Sequence, residues 1–434
     1  MKDRYISLIT GILTLCILGI SSCSRVVASS SSREATECPV LSAGQIDSIV
    51  FEMADSNVTS GINSFAVNMA KLVMENSEDN YIFSPLGIAF NLSMLSNGAN
   101  GITKDEILTV LGVDNINDAQ NRLNNYCRSV DVIINNPATN GSARLANSLW
   151  VDEKHKIKKQ FKTICKNKFH TGIFIRNLST EATKDEINQW VSANTDGLIK
   201  NFLSHSLYFQ QSSALINAIF VKAPWDFKFD HSLTSERYPF NNIDGTEGIC
   251  KMMKAFNRTQ ETIAFDCFDI IRFTLASSTY GFDVILPHPD VDLKDCINQI
   301  DDNIFVKWKS RARHKTWDIV RMPKFDIRTT HSFHKSLVKL GLDHLFTDSD
   351  FSDMTPSKHF FISDILQKAR FIVEEDGAEA AAATMDTAIG SPFGITEPRP
   401  KPTKLILDRP FMYTLTDLRT NTIIFIGEVK KFPQ

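Results

Sequence analysis

No H-E-x-x-H, G-x-S-x-G, P-loop or G-x-G-x-x-G fingerprint occurs in the 434 residues, so the common hydrolase and nucleotide-binding sites have no support. There is no C-x-x-C pair either. The eight cysteines (Cys16, Cys23, Cys38, Cys127, Cys165, Cys250, Cys267 and Cys296) are scattered, which argues against a zinc ribbon or a redox motif; most are read as buried thiols. No apolar run reaches the roughly 20 residues of a membrane-spanning helix. The net charge of −3 is spread without long runs of either sign, and aromatic residues are not interleaved with basic ones, so no nucleic-acid partner is expected. His331 and His334, three apart, could form a metal pair on one helix face, but no third ligand is in view, and neither metal nor cofactor is expected. His288, between Pro287 and Pro289, reads as a loop histidine. A conventional active site is not visible.

The first residues read as an export signal. Lys2 and Arg4 precede a mainly apolar stretch of 15 residues, Ile6 to Ile20. It ends in Leu18-Gly19-Ile20-Ser21-Ser22-Cys23, which resembles the bacterial lipobox, where cleavage leaves a lipidated cysteine at the new N-terminus. The alternative is an ordinary signal peptide cut nearby. Residues 1–22 are thus expected to be a signal peptide and 23–45 a flexible, serine-rich tether anchored through Cys23 to an outer membrane. Residues 46–434 are then one domain. The anchor faces the cell surface or the periplasm; cut as an ordinary signal, the chain would be secreted.

With 43% hydrophobic residues and 30 phenylalanines, the remainder can build a large core. Phe65, Met69, Leu72 and Val73 share one face of a helix over 63–75. Tyr81-Ile82-Phe83 is a strand stopped by Ser84-Pro85, and 88–95 a mostly buried helix. Asn97 to Gly101 is a turn, after which Thr103 and Glu106 suggest a capping box. Further elements are a strand over 145–151, a helix over 187–202 with Trp190, Val191 and Ile199 inward, and a strand over 215–221 buried on both faces. Asn217 inside that last strand must be hydrogen-bonded or cost about 1–3 kcal/mol, which marks it as a fastener between elements. Strands follow at 282–286 and 321–325, a helix over 333–340 closed by Gly341, and a C-terminal hairpin of 411–415 and 422–429. Helices dominate early and strands late, which gives one α+β domain.

The stretch Glu374 to Thr384 (EEDGAEAAAAT) is the hardest to place. Alanine favours helix, yet Phe371-Ile372-Val373 before it favours strand. Composition alone gives a short solvated helix after a turn; the other reading is a segment built to change structure. Residues 385–403 beyond it, with Pro398, Pro400 and Pro402, read as exposed and irregular.

Across 46–434 these landmarks resemble the serpin family: Phe83-Ser84-Pro85; Gly98, Ala99, Gly101 and Thr103; Ala146-Asn147-Ser148-Leu149-Trp150-Val151; Ile187-Asn188 with Trp190-Val191; Asn217-Ala218 with Lys222 and Trp225. Pro323-Lys324-Phe325, Ser363-Asp364, Lys368-Ala369, the alanine-rich hinge, Arg409-Pro410-Phe411, Phe425 and Gly427 follow in the family's order. The resemblance implies a single domain with three β-sheets, surrounding helices and an exposed reactive-centre loop over about 377–403. It further implies an irreversible suicide-substrate inhibitor, not an enzyme. A target endopeptidase is trapped as its acyl-enzyme when the cleaved loop inserts into the main sheet.

The residues fit that mechanism. In a strand, Ala378, Ala380, Ala382 and Thr384 would share one face, all small enough to enter under packed helices, with Glu379 on the other face. Gly377 and Glu375 mark the hinge. About a dozen new ladder bonds at about 0.5–1.5 kcal/mol each give on the order of 10 kcal/mol of drive. Non-inhibitory members carry bulky or charged residues at such positions; this chain does not. It departs from the family at two polar positions under the sheet, where Gly87 and Gln367 stand for the usual serine and histidine, although Ser84, Asn217 and Trp225 remain. Its loop is also long. Counting from Gly377 puts the scissile residue at Ser391, before Pro392; counting back from the C-terminal hairpin gives Arg399-Pro400. Proline after the bond disfavours both, so the expected cuts are Ile389-Gly390 or Phe393-Gly394, with Thr387-Ala388 as a third. These suit elastase-, chymotrypsin- or papain-like enzymes. A serpin-like binding or chaperone protein, or a loop cut without trapping, are the other readings, and the protein is expected to be a monomer.

Overall fold

The computed structural model describes residues 55–74, 77–135, 142–207, 212–300, 308–377 and 402–434. The signal region, Cys23 and the reactive-loop residues Ala378 to Gly394 lie outside them.

Helix α1 (Ser56–Met74) starts seven residues earlier than its apolar stripe suggests and buries Phe65, Met69 and Val73. Strand β1 (Tyr81–Phe83) ends at Ser84, whose hydroxyl caps α2 (Pro85–Ser96) by accepting from the Gly87 amide, with Pro85 at the first helical position. Every residue of α2 is buried, because it lies among α1, α4 (Ala119–Ile134), β4 (Ser213–Lys222) and β14 (Thr422–Val429). The expected capping box at Thr103 does not form. Helix α3 (Gly101–Val110) already begins at Gly101; Thr103 instead accepts from the Asp350 amide, and Glu106 pairs with His344 at 2.6 Å. Helix α5 spans Lys159–Phe169. The helix expected over 187–202 is α6, Glu181–Asn194. Thr180 caps it, and positive φ at Asp196, Gly197 and Asn201 breaks it, so Ile199 is buried from a non-helical segment.

Five strands form the main sheet in the order β10-β11-β4-β2-β3: β10 (Phe325–Ser332), β11 (Asp364–Val373), β4, β2 (Ser142–Asp152) and β3 (Gly172–Arg176). Among the described residues the remaining nine strands form one continuous sheet, so two of the three expected sheets are joined. The join is β6 (Glu247–Ala264), 18 residues long, which pairs β5 (Ser235–Asn241) at one end and β7 (Phe268–Leu275) at the other. The strand expected over 321–325 is a junction. β9 (Arg313–Pro323) belongs to the larger sheet, β10 to the main one, and Lys324 between them donates its amide to Lys251 O. β8 (Tyr280–Pro287) and β13 (Phe411–Asp417) make the centre of the larger sheet, and β13 forms the expected hairpin with β14. Short β12 (Lys404–Ile406) runs parallel beside β9.

His331 and His334 do not share a helix face. His331 lies in β10, whereas His334 opens the following helix and stacks on Phe346 at 4.3 Å. The main sheet buries both faces at β4, whereas the outer face of β10 is largely exposed and that of β11 half-buried. Inner residues join the large core, while Ala214, Ile216 and Ala218 on the outer face pack with Trp150, Ile187, Val191, Ile199 and Phe202 beneath α6 and the segment after it. Cys127, Cys165, Cys250 and Cys296 are buried free thiols and Cys267 is half-buried.

Candidate functional site

The main sheet has a seam between β4 and β11. These strands are parallel, with Asp364 opposite Ala214 through Arg370 opposite Phe220, whereas β10–β11 and β2–β4 are antiparallel. Parallel pairs are slightly less stable per residue than antiparallel ones. A strand entering this seam from a reversed β11 would run antiparallel to β11, and therefore antiparallel to β4 as well.

The chain after β11 is placed at the mouth of that seam. Glu374 to Gly377 form a tight turn, with Gly377 N donating to Glu374 O at 3.1 Å. Gly377 makes antiparallel bridges to Pro224, beyond the end of β4, and to Glu374, beyond the end of β11. It thus already lies between the extensions of the two strands, antiparallel to both. Its φ of 97° suits glycine, and a Cβ there would lie 2.4 Å from Ala223 O and Trp225 N. Trp225 donates its indole N–H to Glu374 O at 2.7 Å and its amide to Asp376 O, and packs edge-on against Phe229, Phe273 and Phe282.

Two acids hold the turn. Glu375, 2% exposed, accepts from Lys324 Nζ at 2.6 Å and Thr234 Oγ1 at 2.7 Å. Burial pushes its carboxyl up, but Lys324 and Thr234 outweigh that and keep it below the ordinary glutamate value. Asp376 pairs with His231 Nε2 at 3.0 Å and Lys228 Nζ at 3.1 Å, which lower its pKa.

Farther down the seam, on the inner face, Ser84, Asn217 and Gln367 interlock. Gln367 Oε1 accepts from the Ser84 amide at 2.6 Å, and its Nε2 donates to Ser84 O at 2.9 Å and Asn217 Oδ1 at 2.7 Å. Asn217 Nδ2 donates to Asn147 Oδ1 on β2 at 2.6 Å, and Ser84 Oγ donates to Ile424 O on β14 at 2.7 Å. The chain of bonds runs from β11 across β4 to β2, so Asn217 is indeed a fastener. Trp225 shares none of these bonds; it belongs to the turn at the seam's mouth. Asn147 was the member missed, although a polar residue inside an apolar strand carries the same signal as Asn217. Gly87 has no side chain because the Asn217 carboxamide fills the place, 2.4–2.7 Å from where a Cβ would stand. His331 lies opposite Gln367 on β10, near Tyr81 and Phe333, where burial lowers its pKa.

On the outer face, the segment following α6 is tied across the seam. Lys368 Nζ donates to Lys200 O and Asn201 O at 3.1 and 2.8 Å, and Arg370 Nη1 donates to Leu198 O at 3.4 Å.

A family model described as Serpin (serine protease inhibitor) matches residues 60–431. The chain belongs to the serpin family. Serpin I2 of Homo sapiens is 27% identical over 84% of this chain and 89% of its own, and a serpin-like protein of Methanosarcina mazei 26% over 86% and 87%. Among solved structures, thyroxine-binding globulin in complex with thyroxine superposes with a TM-score of 0.76 at 25% identity, covering 86% of this chain and 99% of the other. The thermophilic serpin tengpin in its native state gives 0.77 at 24% identity, covering 87% and 95%. The mixed α+β serpin fold is therefore established here. Serpins are typically protease inhibitors that bind their target proteases, with some non-inhibitory members.

Proposed function

We propose that this serpin irreversibly inhibits endopeptidases by inserting its cleaved loop between β4 and β11. The observation that carries the reading is Gly377, bridged antiparallel to the extensions of both strands. Continuing that pairing down the seam replaces one parallel interface with two antiparallel ones, and the small residues Ala378, Ala380, Ala382 and Thr384 would face one side of it. Cleavage at Ile389-Gly390 or Phe393-Gly394 directs the inhibitor at elastase-, chymotrypsin- or papain-like enzymes, the covalent partners of a monomeric serpin. The lipobox-like sequence at Cys23 would tether it to an outer membrane.

The test is to mix the chain with elastase, chymotrypsin and papain and run denaturing gels. An SDS-resistant adduct of summed mass supports trapping, and a clipped chain alone sinks it. Mass spectrometry of the released C-terminal peptide names the bond. Ala380→Arg should turn inhibitor into substrate, and unchanged inhibition refutes the hinge assignment. Cys23→Ala should release the protein from membranes; continued retention removes the anchor.

A second reading is a loop cut without trapping, or a binding protein. The pins on Glu375 and Asp376 and the Gln367 network favour it, because each must open before insertion can outrun deacylation. Thyroxine-binding globulin, among the structural neighbours, holds thyroxine, so this fold also serves to carry a ligand.

A further inference from the structure

The segment tied across the outer face encloses a cleft of about 390 Å³ between Gly197–Asn201 and the side chains of β10 and β11. Its lining is cationic. Lys200, Arg328, Lys368 and Arg370 all line it. Asp326 beside them is shared by Arg328 and Arg370; both hold it well down, at about 2 against the upward push of burial. Four cations against one acid leave the cluster three charges positive. Arg328 stands opposite Arg370 in the β10–β11 ladder, and Thr330 opposite Lys368, so the guanidinium groups and the ammonium project from one face of adjacent strands. The two carbonyls bonded by Lys368 take two of its three ammonium hydrogens. Burial and the charge of Arg328 both lower its pKa. Like charges held together in a partly enclosed space are the setting in which an oxyanion binds most strongly.

We propose that this cleft binds a small multivalent oxyanion of the phosphate or sulfate class. Arg328 and Lys368 would hold it on the sheet side and Lys200 on the side of the crossing segment. The site has a consequence for insertion, and this part rests on the inhibitor reading. A strand entering the seam moves β11 about 4.8 Å farther from β4. The segment 197–201 is packed over β4 through Ile199, so its bonds to Lys368 and Arg370 must part. An anion bridging Lys200 to Arg328 and Lys368 opposes that parting, and so acts as a brake on insertion.

The experiment has two arms on the full chain. Titration with inorganic phosphate, against chloride at matched ionic strength, is followed by calorimetry and phosphorus NMR line width. One saturable site is expected, weakened at least about tenfold by Arg328→Gln and by Lys200→Gln. Lys335→Gln, an exposed charge on the helix at 334–339, should leave it unchanged. Absence of saturation, or equal loss in Lys335→Gln, overturns the site. In the second arm a synthetic peptide copying Ala378 to Ser391 is offered to the sheet, and its uptake is timed. Saturating phosphate should slow uptake at least about threefold in the parent chain and not in Arg328→Gln. Uptake unaffected by bound phosphate overturns the brake. Saturable binding with no peptide uptake under any condition supports the oxyanion site while overturning the inhibitor reading, so the two fail separately.

Discussion

Gln367→Leu removes three hydrogen bonds at once from a place where Ser84 and Asn217 are 0% exposed and Gln367 is 1% exposed. The leucine approximates the lost volume, so the main effect is electrostatic. Ser84 N, Ser84 O and Asn217 Oδ1 each lose a partner. Asn217 keeps its bond to Asn147 and Ser84 Oγ keeps Ile424 O, so the loss is confined to the β11 side of the seam. Ser84 O keeps the Ile88 amide, so two groups are orphaned, and at about 1–3 kcal/mol each they put the native form down by about 2–6 kcal/mol. At roughly 2 cal/mol/K of unfolding entropy per residue, a domain of this size should lose roughly 2–7 °C in Tm. The useful measurement is a comparison. The proposed insertion would carry β11 away from β4, so the Gln367–Asn217 bond belongs to the uninserted form. The variant should lose stability when intact, and lose much less after its loop has been cleaved and inserted. Intact and cleaved samples of both proteins, melted side by side by circular dichroism, give the two differences. Equal losses in the two forms would refute the assignment of this network as a latch on the closed seam. An intact Tm within about 1 °C of the parent would refute the accounting of its bonds.

Glu375→Gln removes the Lys324 ion pair and should destabilise the native form by about 2–3 kcal/mol at neutral pH, measured by urea unfolding. Because the Glu375 pKa is lowered on folding, its contribution is present above about 4.5 and fades as pH falls through the folded value, so the parent and variant curves should converge in acid. Glu428 shows the opposite sign: burial raises it to about 7, against the pull of Lys430 and Tyr81, so its share of stability is full below about 4.5 and lost as pH rises through 7. Glu428→Gln should flatten the fall in Tm between pH 5 and pH 8, and an unchanged slope counts against a neutral Glu428. Gly377→Ala forces a Cβ to within 2.4 Å of the 223–225 backbone at a φ of 97°, and should cost about 2–4 kcal/mol and free the turn, read as faster hydrogen exchange at Trp225 and Phe229.

What the sequence revealed depended on how local the cause was. Periodicity located β1, β4, β8 and the C-terminal hairpin closely, and the polar intruder Asn217 announced its own role. Elements whose limits are set by distant partners were misplaced. Thr103 and Glu106 have the pattern of a capping box, but each is claimed by the 343–350 region, which lies far off in sequence. Pro323-Lys324-Phe325 looks continuous, yet Lys324 is where the chain leaves one sheet for another, and its ammonium serves a glutamate fifty-one residues on. The seam itself is a matter of topology. Nothing within β4 or β11 says that they run parallel side by side, so the pairing of Gly377 with Pro224 could not be read in advance. The hinge alanines and candidate scissile bonds lie outside the described residues and rest on the sequence alone.

Gly87 and Gln367 meet at one side chain, Asn217. A serine at position 87 would put its Cβ 2.4 Å from Asn217 Oδ1 and 2.6 Å from Nδ2. That carboxamide is itself held from both sides, by Gln367 on β11 and Asn147 on β2. Gly87→Ser alone must therefore push Asn217 off one of its partners and should cost about 1–3 kcal/mol. Gln367→His alone shortens the reach to Ser84 and leaves part of the same network unpaired. Together the two changes relieve each other, because a moved Asn217 no longer needs the Gln367 amide. Mutations that share a partner deviate from additivity by about 0.5–3 kcal/mol. A double-mutant cycle on urea unfolding should thus show the pair less costly than the sum of its members by at least about 1 kcal/mol. Additivity within about 0.5 kcal/mol would mean that Gly87 and Gln367 act independently, and that Asn217 does not transmit between them.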